Sequence, residues 1–392
     1  MPIKLLHLAD LHLGYRAYER WEEGRPVRLG EFLAALDAAL DVGFRAGVDA
    51  VIVAGDVYDS ARAEPLVQRE WARRVTRVRE AGVPLVVITG NHDRPHRAPA
   101  VSGQAVFDAL SLPGVFVVSS PALLEIATAG GSLTIAAAPW SFSGTRAAVL
   151  AAEENIRRLI HEDWAPRLEA AEAAILAGHL WLRGGTLTSE GSTLFDESQL
   201  EPAAVAHAAF KYYALGHLHR HQALAMPEGG PAVYAGAPAR LSFEDEGVPK
   251  GAVVVELGPD GAAWRFAEIP SRDFVTIDLA AEDQDSLAAA VEKAASRDVA
   301  GAVVRLNILG PAELAAQIQA RELEAAFSRA YYVRVVFTPR RAERRRVGIA
   351  PESSPADALA QYAADRPPPA GVTADELLAR ARALEGRAAL KK

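Results

Sequence analysis

Short apolar runs alternate with stretches of helical periodicity in the N-terminal part of the chain. The apolar runs lie at 3–9, 49–54 and 84–89, and each is nearly continuous, which is typical of strands buried on both faces of a sheet. The stretches at 30–47 and 64–81 carry apolar residues at helical spacing. Strands and helices that alternate in this way predict a doubly wound α/β fold, whose ligands collect beyond the carboxyl ends of the strands.

The pattern changes after the third run. Alternating apolar residues from 114 to 139, centred on Gly130 and Gly131, predict a hairpin, and helical periodicity returns at 153–173. The remaining apolar runs predict short strands. They lie at 174–177, 212–215, 232–235, 252–257 and 264–269. We expect the last three of these strands to complete a second sheet that packs against the first.

A separate unit begins near residue 271. Strand, helix, strand, helix and strand follow one another from 275 to 338, with Pro311 at the start of the second helix. Beyond a basic run at 340–346, two helical stretches flank three consecutive prolines, and Thr373 opens the second with a capping box. We therefore predict three parts. They are a two-sheet α/β sandwich flanked by helices at 1–270, a smaller α/β domain at 271–340 and a C-terminal helical tail at 341–392.

Composition and charge narrow the class of protein. Half of the 392 residues are hydrophobic and 23% are charged, as in a soluble globular protein. The absence of cysteine excludes disulfides and thiolate metal sites, and it indicates a reducing compartment. No apolar run approaches the ~20 residues that span a bilayer, and no signal-peptide pattern is present, so we expect a cytoplasmic protein. The net charge of −8 argues mildly against indiscriminate nucleic-acid binding, although bound cations could reverse the sign locally.

Polar side chains with metal-binding chemistry follow five of the predicted strands. Asp10 and His12 are two residues apart, which places them on the same side of an extended backbone. Asn91 is an uncommon metal ligand because its amide oxygen is neutral, and it keeps the anionic charge of a site low, as a phosphate ester requires. Eight residues share this position at a strand end: Asp10, His12, Asp56, Asn91, His92, His179, His217 and His219.

These residues could hold two metal ions. Seven ligands with one shared carboxylate are the arrangement of a two-metal hydrolase, in which paired cations stabilise both the attacking and the leaving oxygen of a phosphoryl displacement. The position of Asp56 favours it as the shared ligand. Two divalent cations against two ionised aspartates leave about two positive charges, which would attract a phosphodiester even to an acidic protein. His92 need not bind metal, because it could instead contact the phosphate or protonate the leaving oxygen.

Each of these residues taken alone has a simpler interpretation as a cap, a turn residue or a satisfied polar group. The ordered set of five motifs, most of them preceded by a strand and a glycine, is what favours the two-metal interpretation. Asp59 and Asp93 are expected to orient neighbouring groups rather than to bind metal. His7 lies inside the first predicted strand and is expected to be a core residue.

The motifs resemble those of the calcineurin-like metallophosphoesterase superfamily. They are, in order, D-x-H at 10–12, G-D at 55–56, G-N-H-D at 90–93, G-H at 178–179 and G-H-L-H at 216–219. The opening H-L-A-D-L-H-L-G and the stretch at 234–247, followed by Lys250 and Gly251, resemble more narrowly the nuclease subunits of bacterial DNA repair complexes.

This resemblance implies a Mn²⁺-dependent nuclease, both exonuclease and endonuclease, that cleaves DNA ends and hairpins. Residues 271–340 would form a capping domain that helps to hold DNA over the site. The last helices would bind a coiled-coil ATPase, and the helices at 64–81 and 95–112 would form the contact of a homodimer within a heterotetramer at the nucleoid. The implied ligands are Asp10, His12, Asp56 and His219 for one ion, and Asp56, Asn91, His179 and His217 for the other.

Two other functions remain open at this point. The chain could be another phosphodiesterase or phosphatase of the superfamily that acts on a small molecule or a protein, although a separate domain and a tail argue against it. It could also be a non-catalytic scaffold, although a scaffold has no physical need for a full ligand set and His92. The arginines at 69–79 indicate a solvated helix face or a DNA backbone contact, and the run at 340–346 could contact DNA or an acidic partner.

Overall fold

The structure is a computed structural model of the chain, and it describes residues 2–95, 101–140, 146–186, 199–340, 354–365 and 372–389. Most of the basic run at 340–346, the three prolines and part of the helix expected at 95–112 lie outside the described residues. Among the helices described, none is both long and apolar enough to cross a membrane.

The described part of the chain contains strands and helices in alternation. The strands are β1 (Ile3–Leu8), β2 (Trp21–Glu22), β3 (Arg25–Pro26), β4 (Ala50–Ala54), β5 (Leu85–Ile88), β6 (Val115–Val118), β7 (Ala122–Thr128), β8 (Gly131–Ala138), β9 (Ala173–His179), β10 (Phe210–Gly216), β11 (Gln222–Leu224), β12 (Ala232–Tyr234), β13 (Gly251–Gly258), β14 (Gly261–Glu268), β15 (Phe274–Ala280), β16 (Val303–Gly310) and β17 (Tyr332–Pro339). The α-helices are α1 (Val27–Ala46), α2 (Pro65–Glu80), α3 (Ala105–Ala109), α4 (Arg146–Arg158), α5 (Ala165–Glu169), α6 (Pro202–Val205), α7 (Gln284–Ala295), α8 (Ala320–Ala326), α9 (Pro355–Asp365) and α10 (Ala374–Ala389).

Two six-stranded sheets form the centre of the molecule. The first has the order β14-β13-β1-β4-β5-β6, in which β1, β4, β5 and β6 are parallel and β13 runs antiparallel to β1. The second has the order β11-β12-β10-β9-β8-β7, with β8, β9, β10 and β12 parallel. The buried-strand runs of the sequence therefore correspond to the central parallel strands, which are covered on both faces.

The sheets pack face to face, and helices cover their outer faces. Between the sheets, Leu5 and Ile52 of the first sheet share an apolar cluster with Ile135 and Ile175 of the second. Helices α1 and α2 cover the outer face of the first sheet, and the helical segment 146–169 covers that of the second. The predicted fold class, an α/β two-sheet sandwich flanked by helices with a smaller α/β unit and a helical tail, is confirmed.

One predicted strand assignment is wrong. Of the three strands expected to complete the second sheet, only β12 joins it, whereas β13 and β14 belong to the first sheet. Strand β13 pairs with β1 over Ile3 to His7, and all but two of its residues are buried. A local apolar pattern identifies a strand but not its partner, because pairing between segments so distant in sequence depends on the whole fold.

Two predicted helices are interrupted. The helix expected at 311–329 is a 3₁₀-helix at Ala312–Gln317 followed by α8, and the helix expected at 153–173 starts earlier and contains a π-helical turn at Leu159–Asp163. The changes of pitch keep the apolar side chains on one face while the chain follows the sheet beneath.

The residues from β15 to β17 form a three-stranded parallel sheet with α7 and α8 on one face and an apolar core of their own. Arginines join this unit to the sandwich. Arg272 donates to the carboxylate of Glu31 on α1 and stacks on Tyr331, while Arg28 lies over Phe274 and Phe32. In the tail, α9 packs against α10.

Candidate metal centre

The candidate site lies where strands of both sheets end. Asp10 follows β1, Asp56 follows β4 and the Gly90-Asn91-His92-Asp93 segment follows β5 in the first sheet, while His179 ends β9 and His217 follows β10 in the second. The carboxyl ends of these parallel strands meet at the same edge of the sandwich. All eight predicted residues therefore come together, although the distance along the chain between the first and the last exceeds half its length.

Nitrogen and oxygen atoms of these side chains converge within metal-binding distance of each other. Three overlapping groups have donor atoms that all lie within 4.8 Å of one another. They are Asp10, His12 and His219; His12, Asp56 and His92; and Asp10, Asp56 and His179. The amide oxygen of Asn91 lies 2.9 Å from Nε2 of His179 and 3.3 Å from Nδ1 of His217, so it adds a further donor group beside them.

Asp56 lies between the two halves of this cluster. Its Oδ2 is 3.3 Å from Nε2 of His179 on one side and 3.8 Å from Nε2 of His12 on the other. On the His12 side, Nε2 of His219 is 3.1 Å from Nε2 of His12, so the two imidazoles point at the same small space. Imidazoles, carboxylates and one amide oxygen, with a carboxylate shared in the middle, fit a pair of divalent cations.

Four of these residues have a strained backbone. The φ angles of Asp10, His12, Asp56 and His217 are +53°, +43°, +51° and +99°. Residues with a side chain rarely adopt positive φ, and the conformation costs of order 1–3 kcal/mol at each position, so the surrounding structure must enforce it. Such strain is concentrated where side chains must be aimed at a ligand.

Glycines allow the strand ends to approach each other closely. A Cβ atom at Gly90 would lie 2.1 Å from Oδ1 of Asp56, and one at Gly55 would lie 2.0 Å from Nδ1 of His179. No side chain fits at either position without displacing a candidate ligand. The glycines that precede the motifs in the sequence thus have a packing role at this site.

Hydrogen bonds fix the direction of the imidazole rings. Nδ1 of His179 donates to the carbonyl oxygen of Ala54 at 2.9 Å, because a carbonyl can only accept, and this leaves the Nε2 lone pair facing the cluster. Nδ1 of His12 lies 3.2 Å from the carboxylate of Asp59, which has the same effect on His12. A second hydrogen-bonding partner of this kind orients a metal-binding histidine and increases its basicity.

Asp93 holds the two neighbouring loops together. Its buried carboxylate accepts hydrogen bonds from the backbone N–H groups of Tyr58 and Gly90, each at 3.0 Å. Burial and the charge of Asp56 raise the pKa of Asp93 to about 6. The contacts of Asp59 and Asp93 agree with the orienting roles that the sequence predicts for them.

The cluster is electrostatically unbalanced without a cation. Burial raises the pKa of Asp10, whereas the attraction of His179, His12 and His92 overcomes burial and holds the pKa of Asp56 well below its usual range. The pKa of His179, which burial alone would lower, is raised to about 9 by Asp56 and Asp10. Protons on imidazoles thus compensate the buried carboxylates, and metal ions that replace them would release those protons.

His92 differs from the other clustered residues in its exposure. Its side chain is 41% exposed, whereas the side chains of His12, Asp56 and His179 are almost completely buried. Nδ1 of His92 donates to the carbonyl oxygen of Asp59 at 2.8 Å, which leaves Nε2 available. The ring borders a cleft of about 480 Å³ that is also lined by Arg62 and Arg94.

Two tryptophans beside the cluster were not predicted. The ring of Trp140 stacks on that of His217 with a centroid distance of 4.9 Å, and the ring of Trp181 lies 6.0 Å from the same imidazole. Neither tryptophan belongs to a motif or follows a recognisable spacing, so the sequence carries no signal for this role.

Comparisons with known proteins agree with this geometry. The family model of the calcineurin-like phosphoesterases matches residues 3–221, which contain all eight clustered residues. The SbcD component of the SbcCD nuclease of Bacillus subtilis is 29% identical over 276 residues, which cover 67% of this chain and 68% of the relative. The protein of the same name from Rhodobacter capsulatus is 31% identical over 68% of this chain and 69% of its own length.

An archaeal relative shows the same likeness. The DNA double-strand break repair protein Mre11 of Sulfurisphaera tokodaii is 26% identical over 70% of this chain and 63% of the relative. The chain therefore belongs to the calcineurin-like phosphoesterase family, in the branch that contains the SbcD and Mre11 nucleases.

Proposed function

We propose that the protein is a Mn²⁺-dependent DNA nuclease that hydrolyses phosphodiesters at DNA ends and hairpins. The observation that carries the proposal is the convergence of the donor groups around Asp56, with His92 at the mouth of the cluster. The relatives named as nuclease and double-strand break repair proteins support DNA as the substrate. A non-catalytic scaffold would need neither the complete donor set nor an exposed His92.

One ion would be held by Asp10, His12, Asp56 and His219, and the other by Asp56, Asn91, His179 and His217. When bound, the two ions would supply Lewis-acid stabilisation of the attacking and leaving oxygens and activate water at neutral pH. The protein keeps its donors in place through Asp59, Asp93 and the backbone strain described above. Asn91 contributes an oxygen without charge, which leaves the centre cationic toward a phosphodiester.

His92 is proposed as the catalytic residue. Its Nδ1–H is committed to the carbonyl of Asp59, so Nε2 faces the cleft as the nitrogen that meets the scissile phosphate or carries a proton to the leaving oxygen. Arg62 and Arg94 line the same cleft and could neutralise flanking phosphates.

The remaining parts of the chain are proposed to serve the complex. Residues 271–340 would act as the capping domain that holds DNA over the cleft. Helices α9 and α10 would bind an SbcC-type coiled-coil ATPase, and the exposed Leu384 and Tyr362 supply apolar surface for such a contact. A homodimer contact at α2 and α3 is supported by the exposed Val106 and Leu110. A heterotetramer of this kind would act in the cytoplasm, at the nucleoid.

A cleavage assay tests the proposal directly. Linear duplex DNA and a hairpin substrate are incubated with the protein and Mn²⁺, with and without a chelator, and Asp56→Asn serves as the metal-deficient control. We expect cleavage that the chelator and the substitution abolish. If metal-loaded protein leaves both DNAs intact but hydrolyses bis-p-nitrophenyl phosphate, the activity is that of another phosphodiesterase and the nuclease proposal fails.

A further inference from the structure

A buried ion pair lies directly behind the candidate metal centre. The side chains of Lys250 and Asp245 are 1% and 2% exposed, and Nζ of Lys250 lies 2.5 Å from Oδ1 of Asp245. Neither residue belongs to the donor cluster, and neither has a role in the chemistry proposed above. Because lysine and aspartate are rarely buried completely, this pair requires a physical reason.

The ammonium group of Lys250 also contacts the backbone of a candidate ligand. Nζ donates to the carbonyl oxygen of His219 at 2.9 Å, and the same oxygen accepts the N–H of Ala237 at 3.1 Å. On the ring side, His219 reaches within 3.1 Å of Nε2 of His12. The carbonyl of His219 is therefore fixed by two donors while its imidazole reaches the space of the proposed ion.

Asp245 connects the pair to the junction with the second unit. Its Oδ2 accepts the N–H of Leu241 at 2.8 Å, and its carbonyl accepts Nε of Arg240 at 3.2 Å. Arg240 in turn donates to the carbonyl of Ser271 at 2.9 Å and to the carboxylate of Asp273 at 3.1 Å, just before β15. A continuous chain of hydrogen bonds thus runs from His219 to the start of the three-stranded unit.

Stability alone does not account for the pair. Desolvation of two charges offsets most of their attraction, so a buried ion pair is often no more stabilising than apolar residues of the same volume. What the pair supplies here is a fixed direction for one carbonyl and a rigid link between two segments. We propose that Lys250 is a positioning residue for His219, and that it sets the affinity for the ion shared by Asp10, His12, Asp56 and His219.

This inference rests on the proposed two-ion centre, and Mn²⁺ titration followed by electron paramagnetic resonance separates the two. The full-length protein is compared with Lys250→Met and with the double variant Asp245→Asn/Lys250→Met, which leaves no unpaired buried charge. Lys211→Met is the matched control, because Nζ of Lys211 also donates to a carbonyl, that of Gly258 at 2.8 Å, but at the opposite end of β13. Thermal unfolding in chelator reports on folding in each variant.

We expect two Mn²⁺ ions per chain in the unsubstituted protein and in Lys211→Met. In both Lys250 variants one of the two ions should bind about tenfold to a hundredfold more weakly, as found when a group that supports a metal ligand is removed. The second ion should be retained with its affinity unchanged within about threefold, since no contact joins Lys250 to its ligands Asn91 and His179.

Two results would overturn the inference. If the folded double variant binds both ions as the unsubstituted protein does, Lys250 has a structural role only, and the proposed metal centre stands. If the unsubstituted protein binds no Mn²⁺ at all, the metal centre itself is refuted and the inference falls with it.

Discussion

The half-exposed ring of His92 leads to a prediction that separates catalysis from metal binding. His92→Ala should bind both Mn²⁺ ions while the rate of DNA cleavage falls at least about a hundredfold, since loss of a general acid or base typically costs 10²–10⁴ in rate. Elemental analysis of the purified variant measures the ions, and a cleavage time course measures the rate. Loss of an ion from the folded variant would show that His92 is a ligand.

The close approach of Gly90 to Asp56 leads to a second prediction. In Gly90→Ala the new Cβ would lie 2.1 Å from Oδ1 of Asp56, so the shared carboxylate must move and Mn²⁺ affinity should fall by at least about tenfold. Gly30→Ala is the control, because no atom lies within 4 Å of a Cβ at that position in α1. Equal Mn²⁺ affinity in the two variants, by calorimetric titration, would contradict the packing role of Gly90.

Residues of the site were predictable in identity but not in conformation. The spacing of D-x-H and G-H-L-H identified the candidate donors, because ligand chemistry depends on residue type. The positive φ angles at Asp10 and His217, and the stacking of Trp140 on His217, depend on chain segments that are remote in sequence. The motifs could therefore name the candidate ligands but could not show how they are aimed.

At the scale of the elements, strands and helices were predictable where their periodicity is local. Strands β1, β4 and β5 and helices α1 and α2 agree with their apolar patterns to within a few residues. The sheet membership of β13 and β14 was not predictable, because it depends on pairing across most of the chain. Helices with changes of pitch, such as the segment 312–326, adapt to a surface that the sequence pattern does not describe.

Helix α2 shows how the structure narrows a choice that the sequence leaves open. Arg74 contacts Asp37 at 2.6 Å and Glu70 at 2.8 Å, and Arg77 contacts Asp37 at 3.2 Å. Carboxylates of α1 and α2 thus already pair with these arginines. The contacts favour a solvated, internally paired helix face over a DNA-binding surface.

The tail formed by α9 and α10 leads to a third prediction. Deletion of residues 348–392 should leave Mn²⁺ content and the unfolding temperature in place, because the tail helices pack mainly on each other. The same deletion should abolish co-purification with an SbcC-type ATPase. Co-expression followed by affinity capture measures the complex, and a truncated chain that still captures the ATPase would place the docking surface elsewhere.

At the scale of the whole molecule, the site requires both sheets to stay in register. Asp10, Asp56 and Asn91 come from the first sheet and the last three histidines of the cluster from the second, so relative movement of the sheets would separate the donors. His7 of β1 connects the two sheets directly. Its Nε2 donates to the carbonyl of Leu215 at 3.2 Å, and its Nδ1 accepts the hydroxyl of Tyr212 at 3.0 Å, both in β10.

The burial of His7 leads to a final prediction, about stability and pH. Burial lowers the pKa of His7 to about 3, whereas an unfolded histidine titrates near 6.5. Between these values the unfolded chain binds a proton that the folded protein excludes. The contribution of His7 to stability is therefore complete above pH 6.5 and is lost as the pH falls, by about 1.4 kcal/mol per unit.

His7→Asn keeps a polar side chain but cannot titrate, so it isolates this contribution. Urea unfolding of both proteins in chelator between pH 7.5 and 5 should show the variant less stable at pH 7.5, with the difference shrinking as the pH falls below 6.5. A constant difference across this range would mean that His7 has the same pKa in the folded and unfolded chains. Because the folded ring stays neutral down to about pH 3, the link from β1 to β10 persists throughout, and the Mn²⁺ affinities of the two proteins should fall in parallel between pH 7.5 and 5.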